Sequence, residues 1–259
     1  MRKVSIFLLL VLLISASCQR GRSNTEVVLE GLVLSEYCIC LYPGMENVIK
    51  ASALPSTAKF ELNWSSENSA VCEVSKNGTV TALQPGKTVV SVSCGAVIKQ
   101  CDVYVLGIHS RAGLVGVYPC NNLGLSVNWA MANVKAINSW NMGIIANNEY
   151  TPGYDDAYTG YYWRTATKKG WEELFDSTHC DWVETHMSGH EGIAVISKVS
   201  GFENCGIFLP VHKDIPYMCQ TPDMHLDFDY EKHTVNILST KTNEWLIRNV
   251  TDYENVPMD

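Results

Sequence analysis

The 259-residue sequence predicts an all-β sandwich followed by an α+β domain. Three observations carry that expectation. Between Phe60 and Val105 apolar residues alternate with polar ones, and turn signals recur about every ten residues, the pattern of short strands in two packed layers. After Gly107 the alternation gives way to dense aromatics and asparagines around one stretch of helical periodicity. Ahead of both lies a leader that is separate from the folded part. Composition agrees: 46% hydrophobic residues supply cores for two domains, and a formal charge of −8 without a basic stripe argues against nucleic acid as a partner.

The leader comes first. Arg2 and Lys3 precede the apolar run "IFLLLVLLI" (Ile6 to Ile14) and the small-residue exit "SASC". That is the plan of a secretory signal, and the run is shorter than the roughly 20 residues a membrane helix needs. "ISASC" resembles a relaxed lipobox of bacterial lipoproteins, with Ser15 where leucine is more usual. The resemblance implies cleavage before Cys18 and lipidation of Cys18, so that the membrane becomes a partner through an N-terminal lipid. Each buried methylene of such a chain adds about 0.8 kcal/mol of membrane affinity. Losing Arg2 and Lys3 with the leader takes the formal charge from −8 to −10. The expected location is exported and lipid-anchored to the bacterial outer membrane, with the surface and periplasmic faces both compatible. Residues 18–29 are polar until Val27 and read as a tether.

The strands follow in order. Phe60, Leu62 and Trp64 share one parity, with Trp64 as the expected central pin of the sandwich. Cys72 and Val74 lead through the turn signal Asn77-Gly78 to Val80 and Ala82, which return antiparallel. Pro85-Gly86 makes the next turn. Val90, Val92 and Cys94 form one inward row, and Cys101, Val103 and Val105 the last. The hallmarks W-S-S, V-S-x-x-G-x-V-T-A-L and P-G-x-x-x-V closely resemble the bacterial group 2 immunoglobulin-like domain, over roughly Glu30 to Leu106. The resemblance implies a spacer or adhesive module, with Trp64 and the turns as structural residues.

In the second half, Thr167 is an N-cap for a helix over Lys168 to Asp176, with Trp171, Leu174 and Phe175 on one face. Val195 to Val199, Ile207 to Leu209, "HLDFDY" and "TVNIL" read as strands. The segments "LGLSVNWAMANV" (Leu123 to Val134), "RTATKKGWEELFDSTHCDW" (Arg164 to Trp182), "GIFLP" (Gly206 to Pro210) and "LDFDYEKHTVNILSTKTNEWLIRNV" (Leu226 to Val250) resemble the Fibrobacter succinogenes major paralogous domain. That family implies a C-type-lectin-like fold. This sequence departs from it at Thr165-Ala166, at Gly170, and in the short segment "VHKDIPYMCQTPDM" after Pro210. The expected class is thus an all-β immunoglobulin-like sandwich (30–106) followed by an α+β C-type-lectin-like domain (107–259), after a signal peptide (1–17) and tether (18–29).

Chemistry-bearing residues gather in "STHCDWVETHMSGHE", which holds His179, Cys180, His186, His190 and Glu191. His186 and His190 have the i, i+4 spacing of a helical metal site, but Ser188-Gly189 between them points to a loop and no HExxH motif is present. Cys180 beside His179 is read as a small buried hydrophobe rather than a nucleophile. "TPD" (Thr221 to Asp223) lacks the triplet of calcium-dependent sugar binding. No catalytic residue, metal or cofactor is therefore expected. Nine cysteines follow Cys18, an odd number, so at least one thiol is unpaired within the chain or joined to another.

The candidate ligand-binding residues are Tyr150, Tyr154 and Tyr158 with Asp155 and Asp156, since tyrosine beside carboxylates suits stacking on sugars or contact with protein. The expected function is adhesion or ligand binding, with a glycan or protein partner and no catalysis. Two alternatives stand beside it: a structural envelope component with a degenerate lectin-like domain, and an enzyme using the His179–Glu191 cluster.

Overall fold

The computed structural model describes residues 29–56, 61–109, 114–115, 118–133, 145–146, 154–156, 160–212, 214–220, 224–239, 245–246 and 248–251. In the first half the strands are β1 (Gly31–Leu34), β2 (Cys38–Leu41), β3 (Glu46–Val48), β4 (Ala51–Leu54), β5 (Asn63–Ser66), β6 (Cys72–Val74), β7 (Thr79–Ala82), β8 (Gly86–Cys94) and β9 (Val97–Val105). The second half begins with β10 (Leu114–Val115), β11 (Tyr118–Asn121), β12 (Asn128–Ala130), β13 (Ile145–Ala146), β14 (Tyr154–Asp156) and β15 (Gly160–Thr165). It continues through the helix α1 (Lys168–Leu174) to β16 (Cys180–Met187), β17 (His190–Ser197) and β18 (Gly206–Pro210). The last strands are β19 (Met224–Asp229), β20 (Thr234–Ser239), β21 (Trp245–Leu246) and β22 (Asn249–Thr251). The described chain is mostly β, with a single short helix.

Alternation does its expected work in the first half. Cys72 pairs with Ala82 and Val74 with Val80, so the Asn77-Gly78 turn returns the chain antiparallel. Val90, Val92, Cys101 and Val103 lose all solvent contact, as do Ile39 and Leu41 beside them in the same sheet and Val80 and Ala82 in the second sheet, and together they form an apolar core. Trp64 differs from its expected role. It packs against the core but is only half-buried, on β5 at the edge of its sheet, and its ring also lies over the β6–β7 turn. There Gly78 has φ +78°, and a Cβ would sit 2.3 Å from the Ile49 carbonyl oxygen and 2.9 Å from the Trp64 ring.

The helix begins as its sequence predicts, with Thr167 Oγ1 accepting from the Gly170 N–H at 3.1 Å. Trp171 and Leu174 are buried against Trp129, whose ring centroid is 4.7 Å from that of Trp171. It stops at Leu174, two residues early. Asp176 turns its carboxylate onto the Thr178 N–H and hydroxyl, both at 2.8 Å, and this local turn competes with another helical residue.

The two halves share a sheet. Its order is β18-β17-β16-β2-β9-β8-β5, so it runs across residues 106 and 107. β2 is parallel to β9 on one side, from Cys38↔Asp102 to Leu41↔Val105, and meets β16 at His186↔Ile39 on the other. Just past β9, Gly107 bridges to Cys205, taking its N–H to the Asn204 carbonyl at 2.6 Å and accepting from the Gly206 N–H at 3.1 Å. Asn121, fully buried, completes the join. Its Nδ2 donates to the carbonyls of Gly107 and Gly206, each at 2.9 Å, and its Oδ1 accepts the His109 N–H at 3.0 Å. Cys40, Tyr42 and Leu106 from one half pack with Met131, Met187, Ala194 and Phe208 from the other in a further core.

This arrangement makes Asn121 a test of the join. Replacing it with alanine strands the Gly206 carbonyl and the His109 N–H and takes from the Gly107 carbonyl one of its two donors, and the expected loss is about 2–4 kcal/mol in urea-denaturation stability. A loss below about 0.5 kcal/mol would mean that the halves close without the amide.

Candidate functional site

The join leaves a cleft of ≈600 Å³. One wall is the start of β8 and the end of β9, with Lys87 and Tyr104; the other is β16 and β17, with Asp181, Trp182 and Lys198. His233, from the β19–β20 turn, and Glu203, from the β17–β18 turn, line its remaining edges.

Local pairing sets each charge. Lys87 stands directly opposite Tyr104 in the β8–β9 ladder, its Nζ 4.9 Å from the ring centroid and 2.9 Å from Asp102 Oδ2. The Tyr104 hydroxyl and the Asp102 carboxylate hold the Lys87 ammonium above its ordinary pKa. Across the cleft, Lys198 Nζ is 2.8 Å from Asp181 Oδ1 and also donates to the Ser177 carbonyl. Glu203 accepts the Gly201 N–H at 2.8 Å. Both lysines of the lining therefore come with their own carboxylates.

Aromatic stacking sets the other wall. The His233 ring lies on Trp182, centroids 3.8 Å apart and planes within 9°. Phe175 and Phe228 meet Trp182 edge-on at 6.3 and 6.4 Å, which immobilises it. His233 can take its place because its φ of 51° closes the turn, where Asp229 accepts the Lys232 N–H at 3.0 Å. Trp182 is nearly buried and His233 is exposed.

The expected site residues fall elsewhere. Tyr154, Asp155 and Asp156 form β14, in which Tyr154 pairs with Arg164 and Asp156 with Gly160 around a bulge. Tyr150, Tyr158 and Cys18 lie outside the described residues. The histidine-rich segment is a hairpin: Ser188 and Gly189, at φ 52° and 78°, form a two-residue turn between β16 and β17. His186 faces Glu191 across it, with Nε2 to Oε1 at 4.0 Å, while His190 faces Met187 and His179 sits 3.7 Å from Asp176 Oδ2 before β16. The i, i+4 spacing of His186 and His190 thus belongs to a strand pair rather than a helix. Among the described residues no three His, Cys, Asp or Glu side chains are placed to hold a metal ion. Cys180 is buried, and burial pushes its thiol up to about 12, the opposite of what a nucleophile requires. The sequence contained no signal for the cleft, because Lys87 and Tyr104 come to line one space with Trp182 through the shared sheet, and His233 joins them from the separate β19–β20 pair.

Residues 41–104 match the bacterial Ig-like domain (group 2), and that part of the chain is such a domain. No curated protein matches the chain. Among solved structures, domains 4 and 5 of the S-layer protein SbsC align at 17% identity over 31% of this chain and 53% of that one, with a TM-score of 0.28. Domains 5–6 align at 12% identity over 88% and 85%, with a TM-score of 0.29. A longer piece of the same protein, rSbsC(31-844), aligns at 11% over 83% of this chain and 26% of that one, TM-score 0.30. Similarities this distant carry no argument about function.

The buried thiols make a pH prediction. Burial raises Cys101 and Cys180 from 9.0 to about 12, so between those values the unfolded chain gives up protons that the folded one keeps. Their contribution to stability is complete below pH about 9 and is lost as pH rises toward 12. Thermal unfolding under reducing conditions should show the melting temperature falling across that range, and less steeply in a Cys101→Ala/Cys180→Ala variant. An identical slope in both would exclude these thiols as its cause.

Proposed function

We propose that this is an exported, non-catalytic envelope protein, lipid-anchored at Cys18, that binds a glycan or protein ligand. The Ig-like unit spaces the ligand-binding half from the membrane, and the second half is of C-type-lectin-like descent. The observation that carries this reading is the cleft at the join, which offers an aromatic stack and ion-paired side chains. A binding surface wants immobilised aromatics and satisfied charges, and both are present there. The residues Tyr150, Tyr154, Tyr158, Asp155 and Asp156 remain a proposed second contact surface.

A structural role is favoured by one observation of its own. Within the short segment after Pro210, the buried Tyr217 hydroxyl donates to the Pro210 carbonyl at 2.8 Å and accepts from Asn133 Nδ2 at 3.0 Å. Backbone held this way at residue 217 has little freedom to serve as a ligand-binding loop.

Two measurements test the proposal. Cells labelled with a radioactive fatty acid should incorporate it into the wild-type chain and not into Cys18→Ser; equal labelling would remove the anchor. On a broad glycan array the mature chain should bind saturably, and a Tyr150→Ala/Tyr154→Ala/Tyr158→Ala variant should lose that part of the binding made by the tyrosine segment. If neither glycans nor envelope proteins are retained by folded protein, the structural role replaces the binding one.

A further inference from the structure

We propose that the cleft at the join is a site for an uncharged oligosaccharide, held between the Ig-like unit and the second half. The inference rests on the reading of this protein as a non-catalytic binder and names both the site and the ligand class. Size sets the scale: ≈600 Å³ lies within the range of small-molecule sites, about 300–1,000 Å³, and accommodates a few sugar rings. The walls set the chemistry. A pyranose presents one face of C–H groups and an equator of hydroxyls. His233, stacked on the immobilised Trp182, supplies a ring face for the first; Tyr104 opposite, with Lys87 over its ring, supplies a ring edge and a hydroxyl, while Val183 and Ile196 add apolar lining.

Charge sets the selectivity. Lys87 is bound to Asp102 and Lys198 to Asp181, so the charge of each lysine is offset by a carboxylate beside it and offers an anion little net attraction. Glu203 adds a carboxylate that pairs with no cation among the described residues, and repels negative ligands further. The same groups suit hydroxyls. A carboxylate has about four acceptor positions, of which one lysine occupies only part, and the Asn204 amide can both donate and accept. A neutral, hydroxyl-rich ligand with an apolar face fits all three conditions; phosphate, sulfate or uronate groups do not.

The test is calorimetric titration of the full mature chain in detergent with cellotriose, mannotriose and triacetylchitotriose, and with trigalacturonate as the anionic counterpart. Two variants accompany it. His233→Asn removes the ring while keeping a side chain that tolerates the positive φ, and Tyr104→Leu removes the other ring while keeping apolar packing. At least one neutral trisaccharide should saturate one site and quench tryptophan fluorescence, trigalacturonate should bind at least about tenfold more weakly, and each variant should weaken the neutral sugar about tenfold. Full affinity in both folded variants, or tighter binding of trigalacturonate, overturns the proposal. So does saturable binding of a neutral Gly/Ser/Tyr decapeptide when every trisaccharide fails. Sugar binding that survives both variants but disappears with the triple tyrosine substitution sinks the cleft alone and leaves the binding reading intact. Absence of ligands at every surface removes both.

Discussion

Two backbone carbonyls, those of Gly107 and Gly206, converge on the side-chain amide of Asn121, and the rest of the molecule is arranged around that meeting. Gly107 lies where the chain leaves one half and enters the other, and Gly206 opens β18 of the second half. A buried carbonyl without a donor costs on the order of 1–3 kcal/mol, so two halves that merely abutted here would be penalised for doing so. Asn121 turns the penalty into a bond network, and the absence of a side chain at Gly206 lets Leu106 approach, since a Cβ there would lie 2.9 Å from its Cδ2. The amide and the glycine together allow one sheet to continue through both halves. The cleft follows from the same fact, because its two walls belong to elements far apart in sequence.

Packing rather than covalent cross-linking holds these layers. None of Cys38, Cys40, Cys72, Cys94, Cys101, Cys120, Cys180, Cys205 and Cys219 is bridged, and all but Cys38 are buried. In strand interiors such as β6 and β9 they behave as small apolar residues filling inward positions. Arg248 is the opposite case, a fully buried cation. Its guanidinium donates to the Ala130 carbonyl at 2.8 Å and the Phe208 carbonyl at 2.7 Å, tying β12 to β18 in place of an ion pair.

Local pattern was informative wherever local physics decides. The inward rows Val90–Cys94 and Cys101–Val105, the Asn77-Gly78 turn and the Thr167 cap depend on neighbours within a few residues, and all could be read from the sequence. Trp64 packs on the core as its parity implies, but its half exposure could not be read, because parity says which side a residue faces and not whether its strand lies at a sheet edge. The end of α1 depended on Asp176 choosing Thr178 over another helical turn. His186 and His190 matched a helical spacing that a two-residue hairpin produces equally well. The pairing of β2 with β16, and hence the cleft, joins residues nearly 150 positions apart through backbone groups that every sequence possesses. No composition or period records such a contact.

The parallel alignment of β2 with β9 also decides how the molecule answers a pull. Tension applied at the N-terminal side and resisted by the C-terminal half enters β2 at Cys38 and leaves β9 at Val105, at opposite ends of the paired stretch. The backbone bonds between those strands lie across the line of force and are loaded together, so they must shear as a group. β1 is different: it runs antiparallel to β4 from the Gly31↔Leu54 pair, and the same tension opens it one pair at a time. Under load the outer ribbon is a yielding element that lengthens first, and the β2–β9 pairing behind it is the mechanical stop.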